Sequence, residues 1–123
     1  MTLIEAINHV DSVKPNSYGQ REKIRWLSNI DGLIKREIID KYEGGDSVAF
    51  SEYTEADIMK RLIVPAPYDD VYIKWLEAQI DYANGEYGKY NNAALAFNEA
   101  YQRYARAYNR ENKPKKSVGF TNF

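Results

Sequence analysis

The sequence predicts an all-α fold: a small helical bundle with a long C-terminal helix and an irregular excursion at about residues 46–66. From Ile73 to Tyr108 an apolar or aromatic residue recurs in steps of three and four: Ile73, Leu76, Ile80, Ala83, Tyr87, Tyr90, Ala94, Phe97, Tyr101, Tyr104 and Tyr108. A strand needs steps of two, so this stripe is helical and its seam must pack on something. A shorter stripe at Ile24, Leu27, Ile30, Leu33, Ile34 and Ile38 has the same spacing. Between Gly44 and Pro67 no such stripe persists.

The first helix is announced by a capping box, Thr2 with Glu5, placed just before Ile4, Ile7 and Val10. Pro15 ends it, because the residue before proline is pushed out of the α region. A second box, Ser17 with Gln20, is expected to open a longer helix through about Tyr42, stopped by Gly44 and Gly45. Within the excursion, residues 47–53 alternate weakly and read as a short strand or extended loop, and 54–62 as one or two helical turns. Val48, Phe50, Tyr53, Ile58, Leu62, Ile63 and Val64 make the segment too apolar for a free linker. Its length and apolar content predict a contact surface for another protein.

Pro65 and Pro67 then fix an extended approach, and Asp69 and Asp70 sit where carboxylates meet the free amides of a helix start. Between there and Tyr108, Asn84-Gly85 is the one plausible break. Because the stripe keeps its phase across it, the sequence favours one helix over 68–110, kinked there, rather than two helices and a turn. Such a helix would run about 64 Å, leaving part of its seam without a partner in the monomer. Residues 1–112 are thus expected to form a single helical domain, with 113–123 a basic, flexible C-terminal tail in which Val118, Phe120 and Phe123 could dock on a neighbour.

Aromatics make up 14% of the chain, and eleven of them are tyrosine. Tyrosine suits a surface that is apolar at one end and wet at the other. No apolar run approaches the roughly 20 residues of a membrane span, and MTLIEAINHV lacks the pattern of a signal peptide, so a cytosolic protein is expected. Lack of cysteine excludes disulfides, zinc–thiolate sites and thiol nucleophiles. The net charge of −1 implies no nucleic-acid partner in bulk, but residues 101–123 carry six basic side chains against Glu111 alone. A mildly acidic body therefore ends in a basic segment.

Catalytic and metal-ligating candidates are weak. His9 is the only histidine and lies beside Asp11 on the polar side of the first helix. Asp69 and Asp70 are adjacent and diverge on a helix, so they form no dyad. The glycines match neither a phosphate-binding loop nor a dinucleotide fingerprint. No enzyme, cofactor or metal is expected. Arg103, Arg106 and Arg110 share one helical face, which reads as a solvated face, a DNA-phosphate contact or an ion-pairing surface for a neighbouring subunit. Phe50, Tyr53, Tyr101, Tyr104 and Tyr108 are the candidate subunit or partner interface.

Over about residues 2–110 the chain resembles the small head–tail connector (adaptor or head-completion) proteins of tailed bacteriophages and prophages. The order is a capped short helix, a proline, an Ile/Leu helix, and an excursion ending in LIVPAPYDDVYIKWLEAQIDYANGEYGKYNNA. The most specific part is Val64 to Asn92. The resemblance implies an all-helical structural protein that binds the portal and neighbouring connector or tail proteins. It implies a homo-oligomeric ring, usually twelvefold, that extends the DNA channel with transient, non-specific DNA contact and no membrane. It would act in the bacterial cytoplasm during assembly and then in the virion at the head–tail junction. The tyrosine load and the length of the last helix depart from the family pattern. Two other readings stay open: a helical assembly or adaptor protein of another kind (tail-completion or scaffold-like), and a DNA-binding regulator. An acidic body without helix-turn-helix spacing argues against the regulator.

Overall fold

The computed structural model describes residues 1–116. The expectations for Val118, Phe120 and Phe123 lie outside the described residues. Four α-helices follow in order: α1 (Leu3–Val13), α2 (Gln20–Glu37), α3 (Asp70–Ala83) and α4 (Tyr87–Glu111). Short 3-10 turns at Ile39–Lys41, Gly45–Ser47 and Glu55–Asp57 punctuate the segment between α2 and α3. Among the described residues there is no strand, only two isolated bridges; of the segment 47–53, Ser47 ends a 3-10 turn and the rest forms a loop. No described helix is long and apolar enough to cross a membrane.

The first helix forms as its sequence dictates. The Thr2 hydroxyl accepts from the Glu5 amide at 3.2 Å, and Glu5 accepts from the Thr2 amide at 2.8 Å. The second box does not form. Asn16 takes the Tyr18 amide at 3.1 Å instead, moving the helix start to Gly19, which caps without a side chain. α2 also ends at Glu37, short of Tyr42. Ile38 and Ile39 are both buried, and adjacent residues on an α-helix point about 100° apart. The α-helix breaks off at Ile38, at φ −114 and ψ −65, and the change of direction into the 3-10 turn brings both side chains to the core. Lys35 then ties the turn by donating to Asp40 and to the Gly45 carbonyl.

The expected single kinked helix over 68–110 is two helices folded back on each other. Three pairs of contacts step outward from the turn in antiparallel register. Tyr82 meets Tyr90 at 5.2 Å beside the turn, Trp75 meets Phe97 at 4.9 Å midway, and Tyr68 meets Tyr104 at 6.1 Å at the open end. The break is a helix stop. Asn84 caps α3, and Gly85 comes next at φ +73, the left-handed conformation that glycine adopts without a Cβ penalty. Away from the hairpin tip, where Ala83 and Tyr87 are exposed, the stripe keeps its phase because each helix independently turns one face to the same core.

That core joins Leu3, Ile7 and Val10 of α1 with Leu27, Ile30 and Ile34 of α2, Val71, Leu76 and Ile80 of α3, and Phe97 and Ala100 of α4. Each such large side chain contributes about 1.5–3 kcal/mol on burial. Trp75 links α3 to α2 through its indole N–H, which donates to the Trp26 carbonyl at 2.8 Å. The beginning of the basic tail is tied down as well. Lys113 and Lys115 pair through their backbones with Glu43 and Lys41.

Candidate functional site

A buried polar centre pins the excursion to the bundle. Asp31 on α2 is fully buried, yet both carboxylate oxygens are occupied. Oδ1 accepts from the Tyr72 hydroxyl at 2.5 Å; Oδ2 accepts from the Tyr53 hydroxyl and from the Ile63 amide at 3.0 Å. The Tyr72 oxygen in turn accepts from the Val64 amide at 2.7 Å, and Ser28 Oγ accepts from the Tyr53 amide at 3.0 Å. One carboxylate thereby holds α2, α3 and both limbs of the excursion. Burial raises the Asp31 pKa, against the lowering pull of the hydrogen bonds from Tyr53, Tyr72 and Ile63. Burial, then the charge of Asp31, raises the Tyr53 and Tyr72 hydroxyls in turn. Acid–base work needs access to a reacting group. Asp31 and Tyr72 have none, so the centre is a structural lock.

The excursion is also bound to α1. The amides of Leu3 and Ile4 donate to the carbonyls of Lys60 and Ile58, and the Leu62 amide donates to the Met1 carbonyl. Tyr53 is therefore a buried anchor rather than a free interface residue, and Phe50, half-buried, packs edge-on against it at 5.4 Å. Over Tyr53 lies a groove of about 600 Å3 between α2 and the excursion, rimmed by Arg21, Arg25, Glu52 and Glu55. Its charges are largely answered within the chain: Arg21 meets Glu55 at 2.9 Å and Arg25 meets Glu22 at 2.6 Å.

The distal tyrosines turn inward. Tyr104 is only 5% exposed, which corrects the expectation that it reaches another chain. The hairpin supplies the intramolecular partner that a single long helix would have lacked. Tyr101, half-buried, donates its hydroxyl to Glu37 at 2.8 Å, and Tyr108 packs on Tyr42 at 5.2 Å. The exposed aromatics lie elsewhere. Tyr82 and Tyr87, at the hairpin tip, are 58% and 60% exposed and stack edge-on at 5.7 Å.

Arg103, Arg106 and Arg110 do share the outward side of α4, all exposed. They are not equivalent. Arg103 meets Asp70 at 3.1 Å, which ties the open end of the hairpin. Arg106 and Arg110 have no ion-pair partner among the described residues and flank a shallow surface groove with Ala105 and Asn109. Leu95, 64% exposed, lies along the same side of α4 near Arg106.

His9 is exposed on α1, and among the described residues no group of three or more acidic or histidine side chains is placed to hold a metal. The Asp31 centre escaped sequence reasoning, although a signal was present. Leu27, Asp31, Ile34 and Ile38 continue steps of four, three and four, so Asp31 occupies a seam position. A carboxylate on a seam requires buried donors, and tyrosine hydroxyls are the abundant ones here.

Fold and site together define a small all-helical protein with a structural polar centre and an exposed cationic and aromatic periphery. Compared with known proteins, the chain matches no family model, no curated protein and no solved structure.

Proposed function

We propose that this chain is a structural protein of the head–tail connector of a tailed bacteriophage or prophage. In this reading it binds the portal protein and neighbouring connector or tail proteins, and forms a ring that extends the DNA channel. The observation that carries the reading is the run from Val64 to Asn92. The residues most like the connector family are those that build the hairpin, from buried Val64 through α3 to the turn at Asn84–Gly85 and into α4. Arg106 and Arg110 add exposed guanidiniums suited to phosphate contact without base readout.

A second reading, a helical adaptor that binds one protein without forming a ring, is favoured by the exposed Tyr82–Tyr87 pair at the hairpin tip. Negative-stain images of the purified protein, alone and mixed with the portal of the phage or prophage that encodes it, separate the two. Rings seated on the portal support the connector. A monomer that ignores the portal sinks it.

A further inference from the structure

Asn84-Gly85 is the one asparagine–glycine pair in the chain, and both residues are exposed at the tip of the α3–α4 hairpin. Glycine has no side chain to shield its amide nitrogen. Once hydroxide takes the proton from that nitrogen, it attacks Cγ of the preceding asparagine. A C–N bond forms, the Cγ–Nδ2 bond breaks, and the leaving nitrogen takes a proton from water to depart as ammonia. Water then opens the succinimide ring at either carbonyl, giving aspartate or isoaspartate. Water and hydroxide are the only co-reactants.

The fold keeps the reacting atoms apart. Asn84 lies at φ −76 and ψ −7, so the Gly85 nitrogen eclipses the Asn84 backbone nitrogen and stands well away from Cβ. Ring closure swings it round to the Cβ side. The Gly85 amide donates to the Tyr82 carbonyl at 3.0 Å and the Glu86 amide to the Asp81 carbonyl at 2.9 Å, and that swing breaks both bonds. On the other side, the Tyr18 hydroxyl donates to Asn84 Oδ1 at 2.7 Å and tethers the carboxamide to the α1–α2 connection. We propose that Asn84 is a site of spontaneous deamidation held off by the closed turn, through the Gly85–Tyr82 backbone bond and the Tyr18 tether. Isoaspartate lengthens the backbone by a methylene and adds negative charge to a tip that already carries Asp81 and Glu86. The turn then cannot re-form in register, and the stacked pair Tyr82–Tyr87 that spans it loses its spacing. Deamidation thus makes a transient opening of the tip permanent. This inference is independent of the connector reading.

Peptide mapping by mass spectrometry, on the full chain kept in mildly alkaline buffer with and without guanidinium chloride, provides the test. In denaturant, aspartate and isoaspartate should accumulate at Asn84 ahead of Asn29 and Asn98, which precede bulkier residues. Without denaturant the reaction at Asn84 should be at least about tenfold slower, because the turn must first open. Tyr18→Phe should speed it in the folded chain and leave the unfolded rate unchanged. Absence of product at Asn84 in denaturant overturns the site. Equal rates in both conditions overturn the guard. A folded Tyr18→Phe chain that reacts no faster than wild type overturns the tether, since the hydroxyl would then be idle or be assisting the attack as a donor to the developing oxyanion.

Discussion

Asp31 and Tyr72 lie 41 positions apart and meet at 2.5 Å, both fully buried. Removing a carboxylate from water is costly, and the cost is offset only where its lone pairs are filled. Here two hydroxyls and one amide fill them, each from a different part of the chain. The arrangement fixes register. Sliding the excursion by one residue would move the Ile63 amide off Oδ2 and leave a buried acceptor short of a donor.

Asp31→Asn is expected to cost about 1–3 kcal/mol, because its amide group must face a donor in either orientation. The pH dependence gives a sharper test. The folded pKa of Asp31 is raised above its ordinary 3.8 by burial. The folded chain therefore binds that proton more tightly than the unfolded chain does. The stabilisation from this shift is full below the unfolded pKa and is lost as pH rises through the folded value. The stability of wild type minus that of Asp31→Asn should thus fall with rising pH and then level. Urea unfolding across that range checks it, and a difference that grows with pH contradicts the assignment.

The two tyrosines should differ. Tyr72→Phe strips a donor from Asp31 and an acceptor from the Val64 amide, both buried, and is expected to cost about 2–3 kcal/mol. Tyr53→Phe leaves Oδ2 with the Ile63 amide and is expected to cost about 1 kcal/mol. Tyr53→Phe should also speed amide exchange through the excursion more than in α1 or α2, since it frees the anchor of that segment. Equal costs for both substitutions would mean that the Val64 amide finds water.

The fold class was legible because its signals are local. Thr2 and Glu5 cap α1 from three residues apart, and periodicity marks α2, α3 and α4 without reference to anything distant. What was not legible depends on tertiary partners. The phase kept across Asn84-Gly85 favoured a kink, and the site shows itself as a stop only once α4 is seen packed on α3. Tyr104 and Tyr108 look unpartnered until the hairpin brings Tyr68 and Tyr42 to them. Of the candidate interface, the cationic side of α4 remains on the surface, while Tyr53 and Tyr104 were absorbed by a core that spacing alone could not locate.

Two glycines test the turns. Gly85 adopts φ +73 with open space around it, so Gly85→Ala meets only backbone strain and should cost about 1–2 kcal/mol. A Cβ on Gly45 would stand 2.3 Å from the Ile39 carbonyl oxygen, a backbone atom that cannot swing aside. Gly45→Ala should therefore cost about 3 kcal/mol, at the upper end for overpacking. Thermal unfolding of both variants gives the order, and a reversed order would show that the 39–45 turn relaxes freely.

The arginines of α4 separate three roles. Arg103→Ala removes a half-exposed pair with Asp70 and should change stability by less than about 1 kcal/mol. The Arg106→Ala/Arg110→Ala variant breaks no ion pair among the described residues, so its stability should stay within about 0.5 kcal/mol of wild type. On the proposed connector reading, its effect should appear in assembly instead. If these side chains line a DNA channel, each removed guanidinium is one fewer phosphate contact. Rings then form normally, DNA retention in particles falls, and the salt dependence of DNA binding flattens. If they pair with the acidic 52–57 segment of a neighbouring subunit, ring formation itself weakens and loses its salt sensitivity. Intact rings with normal particles would leave both residues as a solvated face. The double variant is the informative one, because in the triple variant the loss of the Arg103–Asp70 tie would loosen the open end of the hairpin at the same time.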